Sequence, residues 1–146
     1  MPGVNIQIQA NGPIINAQIG VSSPRRAALT QAGAPVPPSV PCRLLVDTGA
    51  SCTCVDPTII KQLGLSPSGV VPIHTPSTGP GNLHHCPQYD VSLIIVHPSL
   101  HRIFGAIPVL ESSLCHQGID GLLGRDVLSK CLLVYNGEIS LFTLAF

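Results

Sequence analysis

Tryptophan is absent from this chain of 146 residues, aromatic side chains reach only 3% and charged ones 10%. An average soluble domain carries roughly 25% charged residues. A surface so poor in charge stays in solution through Ser, Thr, Asn, Gln and Pro, or hides apolar area against a partner subunit. Lys plus Arg and Asp plus Glu balance at seven each. There is no net charge and no basic stretch beyond the isolated pair Arg25-Arg26. The chain therefore lacks the electrostatic pull on which binding to nucleic acid or an acidic membrane rests. No run approaches the ~18 apolar residues that a bilayer-spanning helix needs. The opening MPGVNIQIQANG has neither the basic nor the apolar region of a secretion signal. The expected compartment is the cytoplasm, and the initiator Met with a finished terminal hairpin favours a stand-alone product.

Against these absences stand 45% hydrophobic residues, 15 prolines, 14 glycines and six cysteines. A single domain over 1–146 is the simplest organisation, long enough for a real core and too short for two. In a reducing compartment the cysteines read as free thiols, with Cys42, Cys115 and Cys131 filling core space. Val4, Ile6 and Ile8 alternate with polar residues, and Asn11-Gly12 suits a tight turn, which predicts a hairpin running into residues 14–19. Residues 23–40 read as a surface insertion whose Pro/Gly-rich second half, GAPVPPSVP, cannot be a regular internal strand. A strand over Arg43–Val46 ends at Asp47. Asp56, Pro57 and Gly64 supply the cap, first turn and stop of a short helix. Two strand-like runs between Val70 and Ile95 flank HTPSTGPGNLHH, and another strand covers 102–110. A short helix starts at Arg125, and Asn136-Gly137 joins two apolar runs into a terminal hairpin. Strands dominate, so the fold class is all-β: a small, curled, mainly antiparallel domain with a short helix in its C-terminal half.

The stretch CRLLVDTGASCTC sets a carboxylate at the end of an apolar strand. Burying it is costly unless donors surround it. Thr48 and Gly49 offer a hydroxyl and a backbone open to close approach, although Asp-Thr-Gly alone reads more readily as a strand-end cap that begins a turn. LLVDTGAS, followed roughly 75 residues later by GLLGRDVL, resembles the retropepsin-like aspartic protease family in its compact single-domain form. The likeness covers most of the chain from Cys42 onward and implies an aspartic endopeptidase that works without cofactor or metal. It identifies Asp47 as the catalytic aspartate and Thr48 as the hydroxyl that locks two active-site loops together. Gly49 matches the backbone beside carboxylates and substrate, and Ala50 and Ser51 complete the loop support. Leu122, Leu123 and Gly124 match the segment behind that loop, and Arg125 and Asp126 the helix start that follows. Viral members usually pair this arginine with an aspartate at the position of Ser51, so the pairing here must differ; neighbouring Asp126 is one candidate charge partner for Arg125, a choice the sequence leaves open. Region 70–88 looks like the flap hairpin, with His74, Thr75, Ser77, Thr78, Gly79 and Gly81 near substrate. An ordinary Pro/Gly surface loop is the plain alternative.

Cleaving an amide without a metal or a nucleophilic side chain takes one group to accept a proton from water and another to donate one to the leaving amide. Two carboxylates about 3 Å apart resist double ionisation and share one proton. The chain holds one Asp-Thr-Gly; Asp56, Asp90, Asp120 and Asp126 stand in other contexts. A C2 homodimer brings Asp47 to Asp47, with an extended polypeptide as substrate. Leu141, Phe142, Leu144 and Phe146 are candidates for the dimer surface, with core burial the alternative. The rival function is a non-catalytic dimerisation or peptide-binding module of the same fold. Cys52-Thr53-Cys54 and His84-His85-Cys86 invite a metal site or a Cys–His nucleophile. Cys-x-Cys is short for ligand spacing, however, and no second cysteine pair follows. Oxidation of Cys52 or Cys54 would perturb the loop beside them.

Overall fold

A computed structural model of the chain describes residues 1–75 and 78–146. Its strands are β1 (Gly3–Gln7), β2 (Ile14–Val21), β3 (Val40–Val46), β4 (Cys54–Val55), β5 (Gly69–Ile73), β6 (His84–Ile95), β7 (Arg102–Glu111), β8 (Gly121–Leu123), β9 (Leu132–Asn136) and β10 (Leu141–Ala145). The helices are α1 (Ser23–Gln31), α2 (Pro57–Gln62) and α3 (Arg125–Leu128), with a 3-10 turn at Cys115–Gln117. Seven strands run in the order β2-β3-β8-β4-β7-β6-β5, and β2 also pairs with β6. That extra pairing closes a barrel from which β5 projects along β6. Pairing is mainly antiparallel, with β8 parallel to β3 and β4 parallel to β7.

Apolar side chains fill the barrel: Leu44 and Val46 from β3 and Val91, Leu93 and Ile95 from β6 at alternate positions, and Phe104, Ile107 and Val109 from β7, where a register shift opposite Val91–Leu93 separates Phe104 from Ile107. Each such burial stabilises by ~1.5–3 kcal/mol. Because strand side chains alternate between faces, a one-residue slip would turn the whole set outward, so the core fixes the register.

Several local expectations are corrected. Gln9 and Gly12 do exchange backbone bonds of 3.0 and 2.9 Å, and Gly12 takes a φ of 113°. Yet β1 does not pair with β2. It pairs with β10, which gives Val4 and Ile6 the apolar cross-strand partners Leu144 and Phe142. Within 23–40, the first half is helix α1, with Pro24 in its first turn and no buried residue. β3 begins earlier than expected and takes in Pro41, opposite Gln18. The proline is tolerated because β8 borders β3 only from Leu44 onward. In the terminal hairpin Asn136 is the last strand residue, and the loop is the four residues Gly137–Ser140. The Asn136 side chain accepts bonds from the amides of Glu138 and Ile139 at 3.2 and 3.4 Å. It organises the turn from the side instead of forming its corner.

Phe142 and Leu144 are 0% exposed within the single chain and belong to its core, which removes both from the dimer surface. Leu141 and Phe146 are half-buried. The sheet β1-β10-β9 carries its exposed apolar side chains on the edge strand β9, where Leu132 and Val134 are 52% and 50% exposed. All six cysteines are free; Cys42 is buried as expected and Cys131 packs half-buried on the core, but Cys115 is exposed. It sits in the 3-10 turn, where no strand face turns it inward.

Helix α2 is tied down by Asp56, which is 0% exposed. Its Oδ1 accepts the Thr58 amide at 2.9 Å and hydroxyl at 2.8 Å, as an N-cap does. Its Oδ2 accepts the amides of Leu114 and Cys115 at 2.7 and 2.8 Å, which clamps the helix to the 3-10 turn. Burial raises the carboxyl's pKa, but these donors outweigh it and hold the value at about 2, below the ordinary 3.8. A depressed pKa stabilises the fold above the unfolded value and the contribution fades as pH falls from 3.8 through about 2. Urea midpoints followed from pH 5 to pH 2 should therefore drop for the wild type. Asp56→Ala should start lower and drop less steeply; parallel slopes would remove Asp56 as a cause.

Candidate active site

The residue that follows β3 is half-buried Asp47. Its amide donates to the Leu123 carbonyl at 3.0 Å, continuing the β3–β8 ladder one step beyond Val46↔Leu123. Its Oδ1 accepts the Gly49 amide at 2.8 Å, and the Ala50 amide reaches the Asp47 carbonyl at 3.3 Å. The turn is thus folded back on its own carboxylate. A Cβ on Gly49 would stand 3.1 Å from that same oxygen, tight enough to displace it.

β8 lies between β3 and β4, so the loop leaving β3 must cross the end of β8 before returning as β4. Gly124 makes the crossing feasible. A Cβ there would fall 2.6 Å from the Cys52 carbonyl oxygen and closer still to the Cys52 carbonyl carbon. Its φ of −88° suits any residue, so close approach, not backbone freedom, demands the glycine. The Arg125 amide donates to the Ala50 carbonyl at 2.9 Å.

The pairing of Arg125 with Asp126 that the sequence left open does not form, and the two residues serve as separate anchors. Arg125 Nη1 donates to the backbone carbonyls of Thr48 at 2.8 Å and Gly49 at 3.4 Å. The Asp126 carboxylate instead receives the Thr53 hydroxyl at 2.8 Å, the Thr53 amide at 3.1 Å and the Val127 amide at 2.9 Å. Thr53 Oγ1 also accepts the Gly124 amide at 3.2 Å. Thr53, 0% exposed, is the residue that sequence reasoning passed over. Its signal was a lone hydroxyl between two cysteines one step before a buried strand. Thr48 is exposed, and its hydroxyl enters no hydrogen bond among the described residues.

A cleft of about 890 Å³ opens over this turn, within the size range of ligand sites. Asp47, Gly49, Ala50 and Ser51 line its floor with Cys52, Cys54, Leu122, Leu110 and Glu111. The β5–β6 hairpin, paired from Gly69↔Gln88 to Ile73↔His84, supplies Ile73, His74, Thr75, Thr78, His84 and His85. There the Thr78 amide donates to the Thr75 carbonyl at 3.1 Å. Gly79 and Gly81 take φ of 69° and 86°, are exposed and lie outside the lining; Ser77 and Pro76 fall outside the described residues. Glu111 accepts the Tyr89 hydroxyl at 2.8 Å, and burial together with that bond raises the tyrosine's pKa. Burial, then the neighbouring Cys52, Cys86 and Asp126, pushes the Cys54 thiol up to about 12. Among the described residues no group of three or more His, Cys, Asp or Glu side chains is placed to hold a metal ion. No helix among them is long and apolar enough to cross a membrane.

Residues 33–127 match the family model described as aspartyl protease. That is well over half of the chain, and the chain belongs to this family. Its fold is retropepsin-like. A solved retropepsin-like aspartic protease from Rickettsia conorii superposes over 99% of this chain and 91% of its own, with a TM-score of 0.58 and 17% sequence identity. Among curated proteins nothing matches.

Asp126 is the testable keystone of the crossing. Asp126→Ala strips acceptors from the buried Thr53 amide and hydroxyl, and leaving such groups unpaired costs ~1–3 kcal/mol each. A loss of about 3 kcal/mol in denaturant unfolding is expected. A loss below about 1 kcal/mol would mean that the network carries little of the loop's stability.

Proposed function

We propose that the protein is an aspartic endopeptidase whose working site forms between two copies of the chain, each contributing Asp47. The observation that carries this reading is an aspartate held in a self-bonded Asp-Thr-Gly turn on the floor of a peptide-sized cleft. The other aspartates are committed or remote: Asp56 to α2, Asp126 to Thr53 and Asp120 to the Arg43 amide at 2.8 Å, while Asp90 is exposed on β6. Glu111 lines the cleft but is engaged by the Tyr89 hydroxyl, and no backbone amide among the described residues bonds its carboxylate.

In the dimer the two carboxylates share one proton. The ionised one takes a proton from the water between them, and that water attacks the scissile carbonyl. The protonated one neutralises the developing oxyanion, giving a tetrahedral diol with no covalent enzyme adduct. Collapse returns a proton to the leaving amine. The Gly49 amide fixes the orientation of each carboxylate, and Arg125, bonded to the carbonyls of residues 48 and 49, holds the turn from behind. The Thr48 hydroxyl, without a hydrogen-bond partner in its own chain among the described residues, bonds across the two-fold axis in this reading. The β5–β6 hairpin, with His74, Thr75 and Thr78, covers an extended polypeptide and bonds its backbone. The subunits meet through Leu141 and Phe146 and the outer side chains of β9.

A non-catalytic module drew its support from Ser51, where the arginine's expected partner is missing. Two backbone carbonyls take up that arginine instead, so the support weakens. Asp47→Asn should cut peptide hydrolysis by ~10³-fold or more, and an excess of this variant should suppress wild-type turnover by forming mixed pairs. A wild-type rate per chain indifferent both to dilution and to added variant would end the two-chain account. The rate should also favour mildly acidic pH and fall as the shared proton leaves; a rate still climbing at pH 9 contradicts the shared-proton step.

A further inference from the structure

The proposed mechanism uses one of the two acids that line the cleft, Asp47, and leaves Glu111 without a task. Strand β7 sets the place of Glu111. Val109, two positions back, is buried opposite buried Tyr89, and strand alternation turns Glu111 to that same face where β7 ends. A carboxylate on the core side of a strand needs donors or a counter-charge. The Tyr89 hydroxyl donates to Oε2 at 2.8 Å from the core. Among the described residues nothing bonds Oε1, and no Lys, Arg or His forms an ion pair with the carboxylate. Most other acids are provided for. Asp56, Asp120 and Asp126 each accept backbone amides, while Asp90 and Glu138 are exposed to water.

The backbone under Glu111 is fixed. It pairs with Val55 of β4, its carbonyl accepts the Cys86 thiol at 3.0 Å, and the next amide donates to the Val55 carbonyl at 3.0 Å. With Tyr89 holding one oxygen, the carboxylate is set in place before any guest arrives, which spares a ligand the cost of ordering it. No Lys or Arg stands among the described residues that line the cleft. Its three histidines belong to the β5–β6 hairpin and its approaches, and none is ion-paired with Glu111 among the described residues. The cleft thus offers one fixed negative charge, away from the Asp47 turn, with an oxygen left for a cation.

We propose that Glu111 is a specificity-determining residue that selects a basic side chain, lysine or arginine, in the polypeptide occupying the cleft. The ammonium or guanidinium donates to Oε1 while Tyr89 keeps Oε2. This inference deepens the protease reading and rests on it. In the two-chain site one Glu111 lies on each side of the scissile bond, so a basic residue is favoured on both sides. A Glu111 present only to satisfy the Tyr89 hydroxyl would behave differently: glutamine, whose carbonyl still accepts that bond, would replace it with no change in peptide choice.

The experiment compares the wild-type protein with Glu111→Gln. The probes are peptides that carry a transition-state hydroxyl in place of the central bond and differ at a single position, as lysine, norleucine or glutamate. That position is moved residue by residue along both sides of the bond, and the matching cleavable peptides are assayed for turnover. At the position that meets Glu111, the wild type should bind the lysine peptide about 10-fold more tightly than the norleucine one, and the glutamate one least. In Glu111→Gln the lysine-to-norleucine ratio should fall to within ~2-fold of unity. No lysine preference at any position, or one that survives Glu111→Gln, would overturn the inference. A Glu111-dependent lysine preference in binding, with no peptide cleaved, would sustain it and end the protease reading. Cleavage without any charge preference would do the reverse, and absence of both binding and cleavage would end both.

Discussion

A carboxylate on a four-residue helix holds the candidate site together. Asp126 receives the amide and hydroxyl of buried Thr53, and the same hydroxyl accepts the amide of Gly124. Two chain segments more than 70 residues apart are thereby locked at a crossing too close for any side chain at residue 124. Every other part of the site leans on that lock. With the Cys52–Thr53 backbone fixed against Gly124, Ala50 lies where Arg125 can bond its carbonyl, and Arg125 can reach the carbonyls of residues 48 and 49. The turn then has one way to fold, with the Gly49 amide directed at Asp47. Buried polar networks of this kind are rigid when every member is satisfied, and no buried side-chain N or O is left without a partner among the described residues.

The rigidity contrasts with the other wall of the cleft. The β5–β6 hairpin reaches the barrel only through β6, and its outer strand β5 is half-buried or exposed along its length. One wall is a stitched turn with little freedom; the other is a ribbon supported from one side. In the proposed reading this division suits an extended guest, which passes the ribbon to reach a carboxylate held by the Gly49 amide.

Much of this could be read from the letters, and the failures have physical reasons. The Asp47 turn, the α2 cap at Asp56 and the stretch Leu122–Asp126 are short-range patterns whose residue types dictate their local geometry. The destination of β1 was not legible, because a tight turn at Asn11-Gly12 looks the same whether the strands beyond it pair or part. What separates them is the offer of Phe142 and Leu144 from the far end of the chain, a packing choice invisible to local pattern. For the same reason those two residues looked like an interface and proved to be core. Helix α1 buries nothing, so it leaves no periodic apolar stripe to find. The Thr53–Asp126 bond spans 73 positions and joins residue types that are unremarkable singly.

The pairing of β1 with β10 also bears on how the molecule comes into being. The first strand of the barrel's companion sheet has no neighbour until the final strand has been synthesised, and β2 meets β6 across some 70 intervening residues. Contacts so distant along the chain are slow to form, since a long loop must close before any of them is rewarded. A nascent chain therefore carries Val4 and Ile6 without their cross-strand partners until β10 has been made. Its window of exposure to aggregation and to chaperones closes only once residues 141–145 have been made.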